Sequence, residues 1–365
     1  MKTLRKILLF PLGLIWGGFS YLRRRLYEKG WKKSLKPSVP TICVGNLAMG
    51  GTGKTPHVEY IVRLLSEKYK VAILSRGYKR KTKGFVSTFQ TIENIDARLI
   101  GDEPMQYFLK FPKAEIAVCE DRAQGIRHLL STPHAPGIIV LDDAFQHLKV
   151  SAGLNILLTE FSTLFTEDNV FPAGNLREFR SNAQKASCIV ITKTPESIVA
   201  EDKEELIRKI RHYTQTPIFF SKYHYLSPVP LTNKAKMLGI KKDVTVLLLT
   251  GIAHPQPLIE QIKSQYSRVE LMRFPDHHAY TERDMEIIYQ KYCLKNPEQT
   301  IVFTTEKDAS KLVAIQLKKI VSLLPIFMIP IEVEFLFDQK DNFNKIIQDY
   351  VRENERNSFV LGTKN

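Results

Sequence analysis

The stretch Val44-Gly45-Asn46-Leu47-Ala48-Met49-Gly50-Gly51-Thr52-Gly53-Lys54-Thr55-Pro56 decides how the chain is read. It follows the apolar run Thr41–Val44 and precedes Val58, Ile61, Leu64 and Leu65, which recur at helical spacing. A glycine-rich turn between a strand and a helix aims backbone N–H groups inward and adds the positive end of the helix dipole, a geometry that cradles phosphate. The spacing predicts that residues Ala48 through Thr55 wrap a nucleotide triphosphate, that Lys54 reaches its β- and γ-phosphates and that the Thr55 hydroxyl holds Mg²⁺. Ala48 stands where such loops usually open with glycine, and Gly50-Gly51 supplies the freedom instead.

A second carboxylate-bearing segment fits the same chemistry. Ile138-Ile139-Val140-Leu141 reads as a buried strand and ends in Asp142-Asp143, and ligands of a parallel sheet collect at the carboxyl ends of its strands. Either aspartate is placed to bind Mg²⁺ directly or through water. Asp102 opens a helical pattern in Gly101-Asp102-Glu103-Pro104, where a plain N-cap is an equal alternative. Further polar clusters follow apolar runs at Glu120-Asp121-Arg122, Gly174-Asn175-Leu176-Arg177-Glu178, Phe274-Pro275-Asp276-His277-His278 and Thr304-Thr305-Glu306-Lys307-Asp308. The adjacent histidines lack partners at zinc-ligand spacing.

The rest of the chain alternates strand-like and helical patterns, which argues for a mostly parallel sheet with helices on both faces. Its 365 residues suffice for two cores. We expect a nucleotide-binding domain over 37–222, a Pro- and Lys-containing connection over 223–242, and a smaller α/β domain over 243–365. The last of these includes a strand at Ile326–Glu332 and a helix near Phe343–Glu353. The four cysteines are widely separated and read as small core residues of a reducing compartment.

Net charge is +15, which calls for an anionic partner. No nucleic-acid motif is present, so nucleic acid is not expected. Residues 1–36 hold ten Lys or Arg against Glu28 alone, around the apolar run Ile7–Tyr21. As a helix that run reaches about 22 Å, short of a hydrocarbon core of about 30 Å, and Pro11, Gly13, Gly17 and Gly18 weaken it. A secretory signal would strand a phosphate loop away from cytosolic ATP. An anchor entering one leaflet, with Arg23-Arg24-Arg25 at anionic headgroups, fits best; a helix folded on the protein's own core is the competing reading.

Taken in order, these motifs, with Ser75-Arg76-Gly77-Tyr78, Asp142-Asp143-Ala144-Phe145-Gln146-His147 and Thr305-Glu306-Lys307-Asp308, make the chain resemble the tetraacyldisaccharide 4′-kinases of lipid A biosynthesis in Gram-negative bacteria. Ala144, where the family often has Gly, and Phe179, where Pro is common, are small departures. The resemblance implies a P-loop NTPase-like fold with a second smaller α/β domain and an N-terminal membrane-associated helix. It implies ATP and Mg²⁺ as cofactors and transfer of the γ-phosphate to the 4′-hydroxyl of a tetraacylated glucosamine disaccharide 1-phosphate. The product is lipid IVA, formed by a monotopic enzyme on the cytoplasmic face of the inner membrane without an obligate protein partner. It further implies Asp102 as base with His277 as its partner, and Glu178 near the metal. Arg76, Arg122 and Arg177 are candidates for phosphate contacts. A membrane-recruited partition-type ATPase is the alternative; its loop carries a Lys before the paired glycines, and here that position is Met49. A GTPase lacks its Asn-Lys-x-Asp signature here, and a non-enzymatic lipid-binding module leaves the phosphate loop unexplained.

Overall fold

The computed structural model describes residues 2–90, 95–240 and 243–362, with side chains from 8 to 356. The chain forms two compact units, one of residues 1–76, 113–223 and 333–365, the other of 77–112 and 224–332.

The first unit is built on a sheet whose strands run in the spatial order Ile331–Phe335, Ile218–Tyr225, Cys188–Thr192, Leu154–Glu160, Thr41–Asn46, Ile138–Asp142, Val71–Ser75, Glu115–Val118. From Ile218–Tyr225 to Glu115–Val118 every neighbouring pair is parallel. Strands covered on both faces need apolar residues throughout rather than alternation, and Thr41–Asn46, Val71–Ser75 and Ile138–Asp142 are buried at every position. The helix Lys54–Ser66 buries Val58, Ile61, Val62 and Leu65, one stripe at helical spacing. Val44 lies level with Asp142 in the ladder, so the phosphate loop and the aspartates leave the sheet side by side.

In the second unit Arg268–Arg273, Thr245–Thr250, Thr300–Thr305 and Ile326–Ile329 form a parallel sheet, and Val229–Pro230 adds an antiparallel edge, a place where proline costs no ladder bond. Leu247, Leu249 and Val302 face one apolar cluster, and Val246, Leu248 and Phe303 face another. Both units are thus α/β with mostly parallel sheets flanked by helices.

The expected boundaries differ from this division: residues 77–112, expected within the 37–222 domain, group with 224–332, and three further stretches depart from the expectation. The 223–242 stretch is no plain linker: it carries the edge strand Val229–Pro230 and the helix Asn233–Leu238, with Ala235 buried (Lys241 and Lys242 lie outside the described residues). The expected strand Ile326–Glu332 breaks at Pro330, which has no N–H to continue a ladder. Ile326–Ile329 stays in the second sheet, and Ile331–Phe335 edges the first. The final helix, Lys340–Gly362, buries Phe343, Ile347 and Val351 in the first unit, where Phe219, Phe335 and Tyr60 ring Phe343. Residues 363–365 of the expected loose tail lie outside the described residues.

The N-terminal run is one helix, Lys2–Glu28, with Pro11 inside it. Gly13, Gly17 and Arg24 form its buried face. A Cβ on Gly13 would press on the Val170 carbonyl and one on Gly17 would strike the Phe179 ring, so the missing side chains permit this close approach. The bulky residues Leu8, Phe10, Leu12, Leu14, Ile15, Trp16 and Phe19 stay exposed. Among the described residues no helix is long and apolar enough to cross a membrane. The expected basic side chains of Lys2, Arg5 and Lys6 lie outside the described ones. Cys43, Cys119 and Cys188 are buried, Cys293 is exposed, and all four are free thiols.

Candidate active site

In the first unit the phosphate loop is held open by its backbone. Gly50 and Gly53 have φ of 121° and 87°, which side chains resist. Gly53 caps the Lys54–Ser66 helix in the left-handed region, and a Cβ there would collide with the Tyr223 hydroxyl. The loop is stitched to the segment that carries Arg177: Met49 N donates to Asn175 O at 2.8 Å, and Arg177 N donates to Leu47 O at 2.7 Å. The Asn46 amide donates to Ala48 O at 2.6 Å, and Gln146 donates to Asn46 O at 2.7 Å.

Lys54 turns back over the loop. Its Nζ lies 3.4 Å from Asn46 Oδ1 and 3.7 Å from Asp143 Oδ1. Arg177 Nη1 lies 3.0 and 3.1 Å from the two Asp143 oxygens and 3.3 Å from Gln146 Oε1. Burial would raise the Asp143 carboxyl, but Lys54 and Arg177 outweigh it and hold the group below its ordinary value. Asp143 also adopts φ 49°, unusual for a residue with a side chain. Asp142 is buried, with Ser75 Oγ donating to its Oδ2 at 3.2 Å. Thr55, half-buried, follows Lys54 on the first helical turn. The sequence-predicted Lys54, Asp143 and Arg177 thus meet in one cluster, with Asp142 at the neighbouring strand end.

Two of the expected site residues sit in buried structural contacts. Arg122, expected at a phosphate, is buried and donates to the carbonyls of Cys119, Glu120 and Asp142 at 3.0, 3.3 and 3.4 Å. Its burial lowers the guanidinium pKa. Its own N–H reaches His147 Nε2 at 3.1 Å, an acceptor because burial, then Arg122, push that imidazole down to about 4. Glu178, expected at the metal, accepts from Arg24 Nη2 at 2.8 Å and Asn182 Nδ2 at 2.8 Å. A carboxylate so deeply buried needs a cation, and the N-terminal helix brings one. Burial disfavours both charges, raising the carboxyl and lowering the guanidinium. Arg24→Ala leaves Glu178 unpaired and costs about 3–5 kcal/mol at a pH where the carboxyl must ionise. Because its folded pKa lies above the unfolded one, the loss grows as pH rises. Urea unfolding of the variant is therefore expected to show a smaller deficit at pH 5 than at pH 8. Arg76 is exposed just beyond the Val71–Ser75 strand.

His57 escaped the sequence reading. Its ring bridges Gly53 O at 2.8 Å and Ser221 Oγ at 3.1 Å, and burial drives its pKa down to about 4, so it is neutral at physiological pH. A polar residue on the buried stripe of the helix was the available signal.

In the second unit Asp102 opens the helix Asp102–Lys110, yet Gly101 is the cap and the Asp102 side chain is free of that duty. Its Oδ2 lies 3.1 Å from His277 Nδ1. His277 has φ 59°, a conformation that L-residues seldom keep without support. Its other nitrogen, Nε2, lies 3.2 Å from Lys307 Nζ, which also reaches Asp276 Oδ1 at 3.0 Å. His278 turns to Asp284 at 3.0 Å, within the capping box of the next helix. Asp102 and His277, 175 residues apart, therefore belong to one compact unit.

Among the described residues no three His, Cys, Asp or Glu cluster around a metal-sized space. Mg²⁺ does not demand such a cage. It takes one or two carboxylates, water and substrate phosphate, and the hydroxyl of Thr55 with the carboxylates of Asp142 and Asp143 offers the hard oxygen donors it prefers.

Comparison with known proteins places the chain in a family. The family model for tetraacyldisaccharide-1-P 4′-kinase matches residues 5–352. Curated relatives named tetraacyldisaccharide 4′-kinase include one from Phocaeicola vulgatus, 43% identical over 96% of both chains. Another, from Flavobacterium johnsoniae, is 42% identical over 97% of this chain and 99% of its own. Among solved structures, the "apo" form of LpxK from Aquifex aeolicus in complex with ATP superposes with a TM-score of 0.71 at 27% identity, covering 95% of this chain and 99% of that one. The chain belongs to the tetraacyldisaccharide-1-P 4′-kinase family.

Proposed function

We propose that the chain moves the γ-phosphoryl group of ATP to the 4′-hydroxyl of a tetraacylated glucosamine disaccharide 1-phosphate, giving lipid IVA, with Lys54 and Asp102 in the two leading roles. The observation that carries the reading is the open glycine loop with Lys54 beside Asp143, in a chain of this kinase family.

Phosphoryl transfer asks a protein for alignment and charge neutralisation more than for covalent help. The loop amides from Ala48 to Thr55 and the Lys54 ammonium bind the β- and γ-phosphates. Thr55 with Asp142 or Asp143 would hold Mg²⁺, which when bound neutralises charge on the phosphate oxygens. Arg177 keeps Asp143 ionised and fixed. The acceptor hydroxyl is a weak nucleophile, and Asp102 takes its proton as the oxygen closes on phosphorus and ADP departs. His277, hydrogen-bonded to Asp102, orients that carboxylate. Arg76 is the exposed cation best suited to a substrate phosphate.

The acceptor is a lipid, and the N-terminal helix supports a membrane-surface reading. Its glycine face packs on the protein while Leu12, Ile15 and Phe19 point outward, followed by Arg23 and Arg25. Each large apolar side chain buried in lipid is worth about 1.5–3 kcal/mol, and each basic residue at an anionic surface about 1 kcal/mol. Replacing Leu12, Ile15 and Phe19 together by Ser, which leaves the Arg24–Glu178 pair intact, is expected to free the protein from sedimenting anionic vesicles. Unchanged sedimentation would reject the anchor on the cytoplasmic face of the inner membrane.

The activity itself is tested by ADP release with and without the acylated disaccharide. Release that depends on the acceptor supports the kinase. Release that ignores it and instead follows added vesicles supports a membrane-recruited ATPase.

A further inference from the structure

The segment Thr304–Asp308 has no part in the mechanism above, yet Lys307 stands at its centre. It lies on the helix Glu306–Leu312, whose N-cap Thr305 receives Asp308 N. A lysine ammonium can only donate hydrogen bonds. At 3.2 Å from His277 Nε2, it makes that nitrogen the acceptor, so the ring proton sits on Nδ1. Nδ1 is the nitrogen 3.1 Å from Asp102 Oδ2. The network therefore orders three groups as a chain: ammonium to imidazole to carboxylate.

We infer that Lys307 is a positioning residue that locks His277 in the Nδ1–H tautomer and so keeps a donor permanently aimed at Asp102. The inference rests on the reading of Asp102 as base and His277 as its partner. Without Lys307, an Nε2–H tautomer would present a lone pair to Asp102, and two acceptors would face one another. Among the described residues, the other recorded contacts of the His277 ring bring no substitute donor to Nε2. Asp276 Oδ2 lies 3.8 Å from Nε2 and would itself favour a proton on that nitrogen, and the Tyr78 ring meets the imidazole edge-on at a centroid distance of 5.7 Å. At present Lys307 also satisfies Asp276, whose carboxyl burial would raise but whose bond to Lys307 holds low. One ammonium thus suppresses the competing acceptor and sets the tautomer. Two further bonds brace the loop. Lys311 Nζ donates to His278 O at 3.1 Å, and the backbone N–H of Gly251 donates to the buried Asp308 carboxylate at 2.9 Å.

The test uses the full-length protein labelled with ¹⁵N-histidine, with the His277 resonances identified by their loss in His277→Gln. The native protein is expected to show His277 as the Nδ1–H tautomer. Lys307→Met should shift it to Nε2–H or to a mixture and lower kcat about 10–100-fold, the range typical of partners that orient a working group, with KM for ATP within twofold. Lys307→Arg, which keeps a charged donor, should recover most of the rate. Lys307→Gln serves in place of Met if the latter lowers the denaturation midpoint. An unchanged tautomer in Lys307→Met, or native kcat, overturns the inference. Should Asp102→Ala and His277→Gln both keep native kcat, the base assignment fails instead, whatever the tautomer shows.

Discussion

Lys54→Ala is expected to lower kcat by about three orders of magnitude, the cost of removing one preorganised charge from the developing transition state. The argument is electrostatic. As the γ-phosphoryl group leaves ADP, negative charge grows on the bridging oxygen and the departing β-phosphate, where a P-loop lysine points. The loop amides are fixed by Gly50, Gly53 and the Asn46 and Asn175 contacts, so they persist in the variant. Substrate binding should weaken less than turnover, because only part of the charge is present in the ground state. The fold should hardly notice: Asp143 keeps its contacts of 3.0 and 3.1 Å to Arg177, so its charge stays paired when the Lys54 ammonium, 3.7 Å away, is removed. Steady-state kinetics beside a urea melt would read both. A Lys54→Ala enzyme with native kcat would remove the phosphate-loop role from this lysine.

Asp102→Ala should cut kcat by about 10²–10⁴-fold, the usual share of a general base, while Kd for magnesium-ATP stays within a few-fold. Asp102→Asn is the sharper variant. It keeps the side-chain shape and a partner for His277 but has no lone pair basic enough to take the hydroxyl proton, so it should be nearly as slow as alanine. An asparagine enzyme near native rate would make Asp102 a mere anchor for His277. The release of Asp102 from helix capping, which Gly101 performs, favours the catalytic outcome.

These two residues also show what was legible in the sequence. Lys54 was, because a phosphate loop is written locally: glycine where φ must be positive, a strand before, an amphipathic helix after. Asp142-Asp143 was legible for the same reason, as carboxylates at the end of an unbroken apolar strand. The pairing of Asp102 with His277 came from resemblance alone. No local pattern could assign residues 77–112 to the unit formed by 224–332, since packing of the helix Asp102–Lys110 on the helix Glu306–Leu312, far apart in sequence, decides that. Pro330 could have been read as the break between two strands, but not as the point where the chain turns to another sheet. The buried contacts of Arg122 and Glu178 were not legible, because a charged residue in a motif looks the same whether it faces a ligand or neutralises the interior. Burial separates the two, and burial is a tertiary property. His57 offered only the signal of a polar residue on a buried helical stripe, and Lys307 stood inside a quoted motif whose partner, His277, is set by tertiary contact.

The most direct measurement is the fate of the γ-phosphate. With γ-labelled ATP, Mg²⁺ and the acylated disaccharide, one labelled phosphomonoester should form on the 4′-oxygen for each ADP released, and Lys54→Ala and Asp102→Ala should both fail to form it. Label recovered as free phosphate, or at another position of the sugar, would contradict the account.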